Sequence, residues 1–216
     1  MKTRRIFLTG TLATLAFGTA ARANPRCIAD PKRGGQLCKT FIDVTDAFQE
    51  TYHARHEPAA IWIACVAVVF ASQGHVIQQP RIAEEAYGGF ANVPIKAGFA
   101  VAEPLVRSWK DDDGVAFRAS VEPIFNLDAA PAAFDQDSFI QALSAGDPVI
   151  LGGGGHPVVL TALAYAQGNA PRRLVAGFVF DPMPLVGPRA LDIDELVPQN
   201  AGGDLRFAVR TRLEKI

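Results

Sequence analysis

The chain has 216 residues, 49% of them hydrophobic and 20% charged, with a formal net charge of −1 at pH 7. That apolar share is ample for a buried core, and the near-neutral balance disfavours nucleic acid or an anionic membrane surface as a partner. The longest internal apolar run, "IWIACVAVVFA" from Ile61, has eleven residues, which is too short to cross a bilayer and reads as a core helix.

Residues 1–23, "MKTRRIFLTGTLATLAFGTAARA", begin basic, continue apolar and end in Ala21-Arg22-Ala23. This is the layout of an export signal cleaved after Ala23, and the paired arginines of "TRRIFL" match the twin-arginine type. No cysteine follows the cut, which argues against a lipid anchor. Removing Lys2, Arg4, Arg5 and Arg22 moves the net charge from −1 to −5 over the remaining 193 residues, a single domain's length. A periplasmic or secreted location follows, with chemistry that favours disulfides. Three cysteines are present. Cys27 and Cys38 flank a short loop rich in Pro, Gly and basic residues and are expected to pair, leaving Cys65 inside the apolar run. Residues 24–56 form the N-terminal segment that carries this loop, and residues 57–216 the main body.

Helix signals come next. "EPAAIWIACVAVVFASQG" opens with Pro58 and stops at Gly74, and "QQPRIAEEAYG" repeats the device with Pro80 and Gly88. A third helix is expected over 97–109, kinked at Pro104. "KDDDG" reads as a hairpin turn; a calcium loop would need a later acidic ligand. "VAFRASVEPIFNL" contains one or two strands, and "DQDSFIQALSAG" a short helix capped by Asp135 or Asp137 and ended by Gly146. "PVIL", "HPVVLTALAY", "RLVAGFVFD" and "DLRFAVRTRL" are strand-like. Helices followed by strands, without steady alternation, predict an α+β fold with the helical half packed on an antiparallel sheet.

The segment "DPVILGGGGHPVVLTALAY" poses the functional question, because four glycines abut His156. A phosphate loop needs a helix behind its glycines, but a strand follows here. Glycines at a strand edge instead mark a bulge or a close approach to the backbone. If "AQGNAP" closes a hairpin by pairing Tyr165 with Arg172, His156 falls opposite Asp181. A carboxylate there would orient the imidazole and support its charged form. His53 and His56 lack the further ligands of a zinc site, and no "GxSxG" elbow occurs, so neither a metal nor a cofactor is implied.

"HPVVLTALAY…FVFDP" resembles the histidine and acid strands of papain-like cysteine peptidases, in their bacterial exported and effector branch. "IWIACVAVVFASQGHVIQQPRIAEEAYG" is similar to the nucleophile helix and the helix after it, whose pattern is Cys-Trp-x-Ala, an apolar helix, Gly-His, a Gln-rich step and Tyr-Gly. "SWKDDDGVAFR" and "FDPMPLVGPRALDIDELVP" also look like family stretches. The resemblance implies a papain-like fold over most of 57–211, with His156 and Asp181 as base and orienting acid.

Matching Trp62 and Ala64 to that pattern puts Ile61 at the position of the cysteine, and Arg55 where the oxyanion-hole glutamine is expected. A branched hydrocarbon cannot attack a carbonyl. The resemblance therefore implies a degenerate, peptidase-like protein whose remnant cleft, with Trp62, Arg55 and Gly155 beside the dyad, binds a peptide or protein segment. An active cysteine peptidase or amidase using Cys65 is a second reading. In a helix Cys65 lies on the face of Ile61 but about 6 Å further along the axis. A non-catalytic interaction module without a cleft is a third. Ligand, partner and oligomeric state are left open.

Overall fold

The computed structural model describes residues 25–30, 35–42, 58–129, 133–153, 155–169 and 171–216. The proposed signal, Arg55, His53 and His56 lie outside the described residues. The architecture is α+β, with a largely antiparallel nine-stranded sheet.

Two strands precede the first described helix, so the order is not simply helices and then strands. Strand β1 (Arg26–Asp30) and β2 (Gly35–Phe41) form a hairpin with Cys27 directly opposite Cys38, and the two are joined in a disulfide. A cross-link closing so short a segment contributes about 2–3 kcal/mol in the chain-entropy model. Helix α1 (Pro58–Ser72) and α2 (Gln79–Tyr87) follow, the latter ended by Gly88 in the left-handed conformation at φ 69°.

The third helix expected over 97–109 does not form. Residues Ile95–Leu105 make a 3-10 segment broken at Gly98 (φ 59°), and Trp109 belongs instead to strand β3 (Arg107–Lys110). Pro94, Gly98 and Pro104 together deny this stretch a continuous α-helical ladder. Strand β4 (Ala116–Asn126) pairs with β3 across the "KDDDG" turn. There Asp111 bonds His75 Nδ1 at 2.9 Å and accepts the Val115 N–H, pinning the turn to the segment after α1. Helix α3 (Gln136–Ser144) is capped by Asp135, which accepts the Asp137 N–H. The remaining strands are β5 (Val149–Gly153), β6 (Val158–Gln167), β7 (Arg173–Asp181), β8 (Gly187–Ala190) and β9 (Leu205–Lys215).

The sheet runs β1-β2-β6-β5-β9-β4-β3, with β7 on the other side of β6 and β8 beyond it. Its central strands are covered on both faces, which is why β5 and β6 are apolar at nearly every position. Ile150, Val159, Phe180, Phe207 and Val209 face α1, whose residues 60–71 are all buried. Their neighbours Val149, Leu151, Leu160, Val179 and Ala208 face α3. Helix α1 is thus hydrophobic all round because it is enclosed all round.

Candidate functional site

Strand β7 sets the site. It lies between β6 and β8, and Asp181 is its last residue, with a carboxylate reached from both sides. From one side, His156, in the connection between β5 and β6, brings Nε2 to 2.9 Å from both carboxylate oxygens. From the other, Arg189 of β8 donates Nε–H to Oδ2 at 3.0 Å, and the Met183 backbone N–H donates to Oδ1 at 3.0 Å.

The proposed hairpin register needs correction. The β6–β7 ladder closes on Ala166–Arg173, not Tyr165–Arg172, and bulges fall between Leu160 and Ala162 and between Ala164 and Tyr165. The ladder ends at Val159–Phe180, so His156 does not sit squarely opposite Asp181. Contact is made diagonally, a reach that side chains of this length manage.

Asp181 is almost completely buried. Burial pushes its carboxyl upward, but the hydrogen bonds from His156, Met183 and Arg189 outweigh this and hold it below the usual carboxylate range. Arg189 is in turn clamped by Glu195, its Nη1 and Nη2 lying 2.7 and 2.6 Å from the two carboxylate oxygens. Glu195 also accepts the Asp192 N–H in a capping box. The resulting chain runs His156–Asp181–Arg189–Glu195. Its hydrogen bonds fix the imidazole through Nε2, and Nδ1 makes no hydrogen bond among the described residues.

The glycine run has two jobs. A Cβ on Gly152 would stand 2.2 Å from the Phe207 ring, and one on Gly153 would stand 1.8 Å from the Asp204 carbonyl oxygen. Both are needed so that β5 can close against β9. Gly155 is different, since a Cβ there meets nothing within 4 Å. It borders open space beside His156.

Helix α1 presents its first turns to this region. Pro58 and Trp62 line a small apolar pocket of about 70 Å³ together with Ile95, Val101, Phe207 and His156. The Trp62 indole N–H is already spent on Tyr87 Oη at 2.8 Å, and Tyr87 donates onward to the Val101 carbonyl. Ile61, in the first turn, is buried with Ala60 and Ala64 against Phe90 and Met183, the residue whose N–H binds Asp181. Cys65 is fully buried one turn deeper, and its thiol donates to the Pro157 carbonyl at 3.3 Å. Burial, and secondarily the Asp181 charge, push that thiol well above its ordinary pKa.

His156, Asp181, Trp62 and Gly155 are therefore brought together, with Ile61 linked to them through Met183, and Cys65 fully buried with its thiol bonded to the Pro157 carbonyl. A second, larger cleft of about 410 Å³ opens on the Arg189 side of His156 and is bordered by Asp192, Asp194, Glu195 and Asp204. Sequence reasoning did not find these residues. The Asp192-x-x-Glu195 spacing was a legible capping signal, but nothing local linked it to Arg189. Comparison with protein-family models, with curated proteins and with solved structures finds no match.

Proposed function

We propose that this is an exported protein of papain-like cysteine peptidase architecture whose hydrolytic machinery has lapsed, and that the cleft beside His156 binds a peptide or protein segment. One observation carries the reading. A base-and-acid pair of the kind that activates a nucleophile stands at the cleft, while the α1 residues lining the opening beside the imidazole are Pro58 and Trp62, Ile61 packs against Met183, whose N–H binds Asp181, and none of them carries a thiol. An attacking thiol has to come within hydrogen-bond reach of its base and must ionise readily. Cys65, the one cysteine outside the disulfide, meets neither need, being bonded to a backbone carbonyl and held protonated by burial.

The rival reading, a working peptidase or amidase built on Cys65, requires the opposite environment for that sulfur. A module without a groove fits poorly with an opening of about 410 Å³ beside His156. Export is supported by the Cys27–Cys38 disulfide, which is consistent with an oxidising compartment.

Iodoacetamide labelling of the purified folded protein near neutral pH, read by intact mass, tests the reading. No adduct is expected until the protein is unfolded, when one adduct appears at Cys65, and the folded protein leaves fluorescent casein uncleaved. Rapid labelling of folded protein that slows in His156→Ala, or casein hydrolysis that iodoacetamide abolishes, would overturn it.

A further inference from the structure

We infer that the cleft selects a peptide in which a small aliphatic side chain is next to a basic one. This rests on the peptide-binding reading above and specifies the ligand class for that site. The two openings beside His156 are of opposite character and share Gly153, Gly155 and His156.

The smaller, walled by Trp62, Val101, Ile95 and Phe207, holds about 70 Å³. That is roughly twice a water molecule's share of the liquid and suits a side chain of two or three carbons. It offers no donor from Trp62, whose N–H is bound to Tyr87. Apart from His156, its lining side chains have no free donor or acceptor, so a polar group would recover little of its lost hydration and the pocket favours an alkyl group.

The larger opening carries unbalanced negative charge. Its cation, Arg189, is already shared between Asp181 and Glu195. Asp192 uses its carboxylate to cap the Asp194 N–H, whereas the side chains of Asp194 and Asp204 make no hydrogen bond or ion pair among the described residues. A lysine or arginine side chain reaching into this opening would meet two carboxylates, Asp194 and Asp204, that no cation among the described residues holds, and like charge would be rejected. Gly155 lines both openings, and among the described residues beyond its chain neighbours no heavy atom lies within 4 Å of where its Cβ would be. An extended backbone crossing this bare stretch could place neighbouring side chains into the two openings.

The test uses fluorescein-labelled, end-blocked tetrapeptides and the folded protein, followed by anisotropy. The probes are Gly-Val-Lys-Gly and Gly-Lys-Val-Gly, each with a counterpart carrying Glu in place of Lys. One of the two Lys peptides is expected to bind at least about tenfold more tightly than its Glu counterpart in dilute buffer. The gap should shrink towards about 0.3 M salt as the charges are screened. Asp194→Asn combined with Asp204→Asn should weaken the Lys peptide by about three- to tenfold, the range for two exposed charge contacts, and should not weaken the Glu peptide. Gly155→Leu should abolish binding of every probe, because its side chain fills the shared stretch, where a Cβ meets nothing within 4 Å. Equal binding of Lys and Glu peptides, blocked by Gly155→Leu, would overturn the selectivity and leave the peptide cleft standing. No binding of any probe, or binding indifferent to Gly155→Leu, would overturn the cleft itself.

Discussion

Replacing Asp181 by Asn tests whether the carboxylate at the end of β7 is an ionised keystone. The variant keeps the size of the side chain and an oxygen able to accept the Met183 N–H, but it removes the charge and points an NH₂ group at His156 or Arg189. Two charge-assisted hydrogen bonds are then lost or reversed, at 2.9 and 3.0 Å in the parent. Such bonds contribute about 1.5–3 kcal/mol each when enclosed. His156 and Arg189 each keep 28% of their side-chain surface in solvent, and Arg189 retains Glu195, so the sum of about 3–6 kcal/mol is discounted by about a third. A loss of about 2–4 kcal/mol at pH 7 is expected, which for a chain of this size lowers Tm by about 5–12 °C.

The sign with pH follows from the depressed carboxyl. Its contribution is complete above the unfolded-state pKa of about 3.9 and is lost as pH falls through the lower folded value. Urea unfolding can be followed by fluorescence of Trp62 and Trp109, both buried. The gap between parent and variant should be wide at pH 7 and should close below about pH 4. A gap under about 0.5 kcal/mol at pH 7, or one unchanged down to pH 3, would refute the reasoning, since that is the range of an incidental surface substitution.

Other outcomes follow from the same structure. Gly152→Ala should destabilise by about 1–3 kcal/mol, because the new methyl would overlap the Phe207 ring at 2.2 Å. Gly155→Ala should fall within about 0.5 kcal/mol of the parent; equal costs at the two positions, measured by urea midpoint, would contradict the division of labour in the glycine run. Reducing the Cys27–Cys38 bond should cost about 2–3 kcal/mol in the same assay. No change would mean that the first hairpin does not unfold with the sheet it joins through β2 and β6.

Local signals carried much of the fold. Pro58 and Gly74 bracket α1, Pro80 and Gly88 bracket α2, and the β-branched runs of β5, β6, β7 and β9 lie where their composition predicts. Where several signals competed, tertiary context decided. Apolar content over 97–109 looked helical, but Pro94, Gly98 and Pro104 broke it, and Trp109 was recruited to pair with Phe117 on β4. Strands β1 and β2 were not legible, because they are short, studded with charge and held by a cross-strand disulfide and by pairing with β6.

The site was half legible for similar reasons. His156 and Asp181 were within reach on spacing alone, even though the hairpin closes differently and carries two bulges, because those bulges offset one another and leave the pair near the same edge. Arg189 and Glu195 were not legible. Their roles depend on β8 turning back beside β7, a four-residue strand with Gly, Pro, Arg and Ala that has no strand signature of its own.

The most direct measurement is the pH dependence of iodoacetamide labelling of Ile61→Cys, alone and combined with His156→Ala. A thiol placed in the first turn of α1, within the field of the helix end and of the His156–Asp181 pair, should label with a midpoint at or below about pH 7, against about 8.5 for a free cysteine. His156→Ala should return it towards the free value. A midpoint at or above about 8.5 that ignores His156 would contradict the proposal that position 61 is the lapsed nucleophile site of the His156–Asp181 pair.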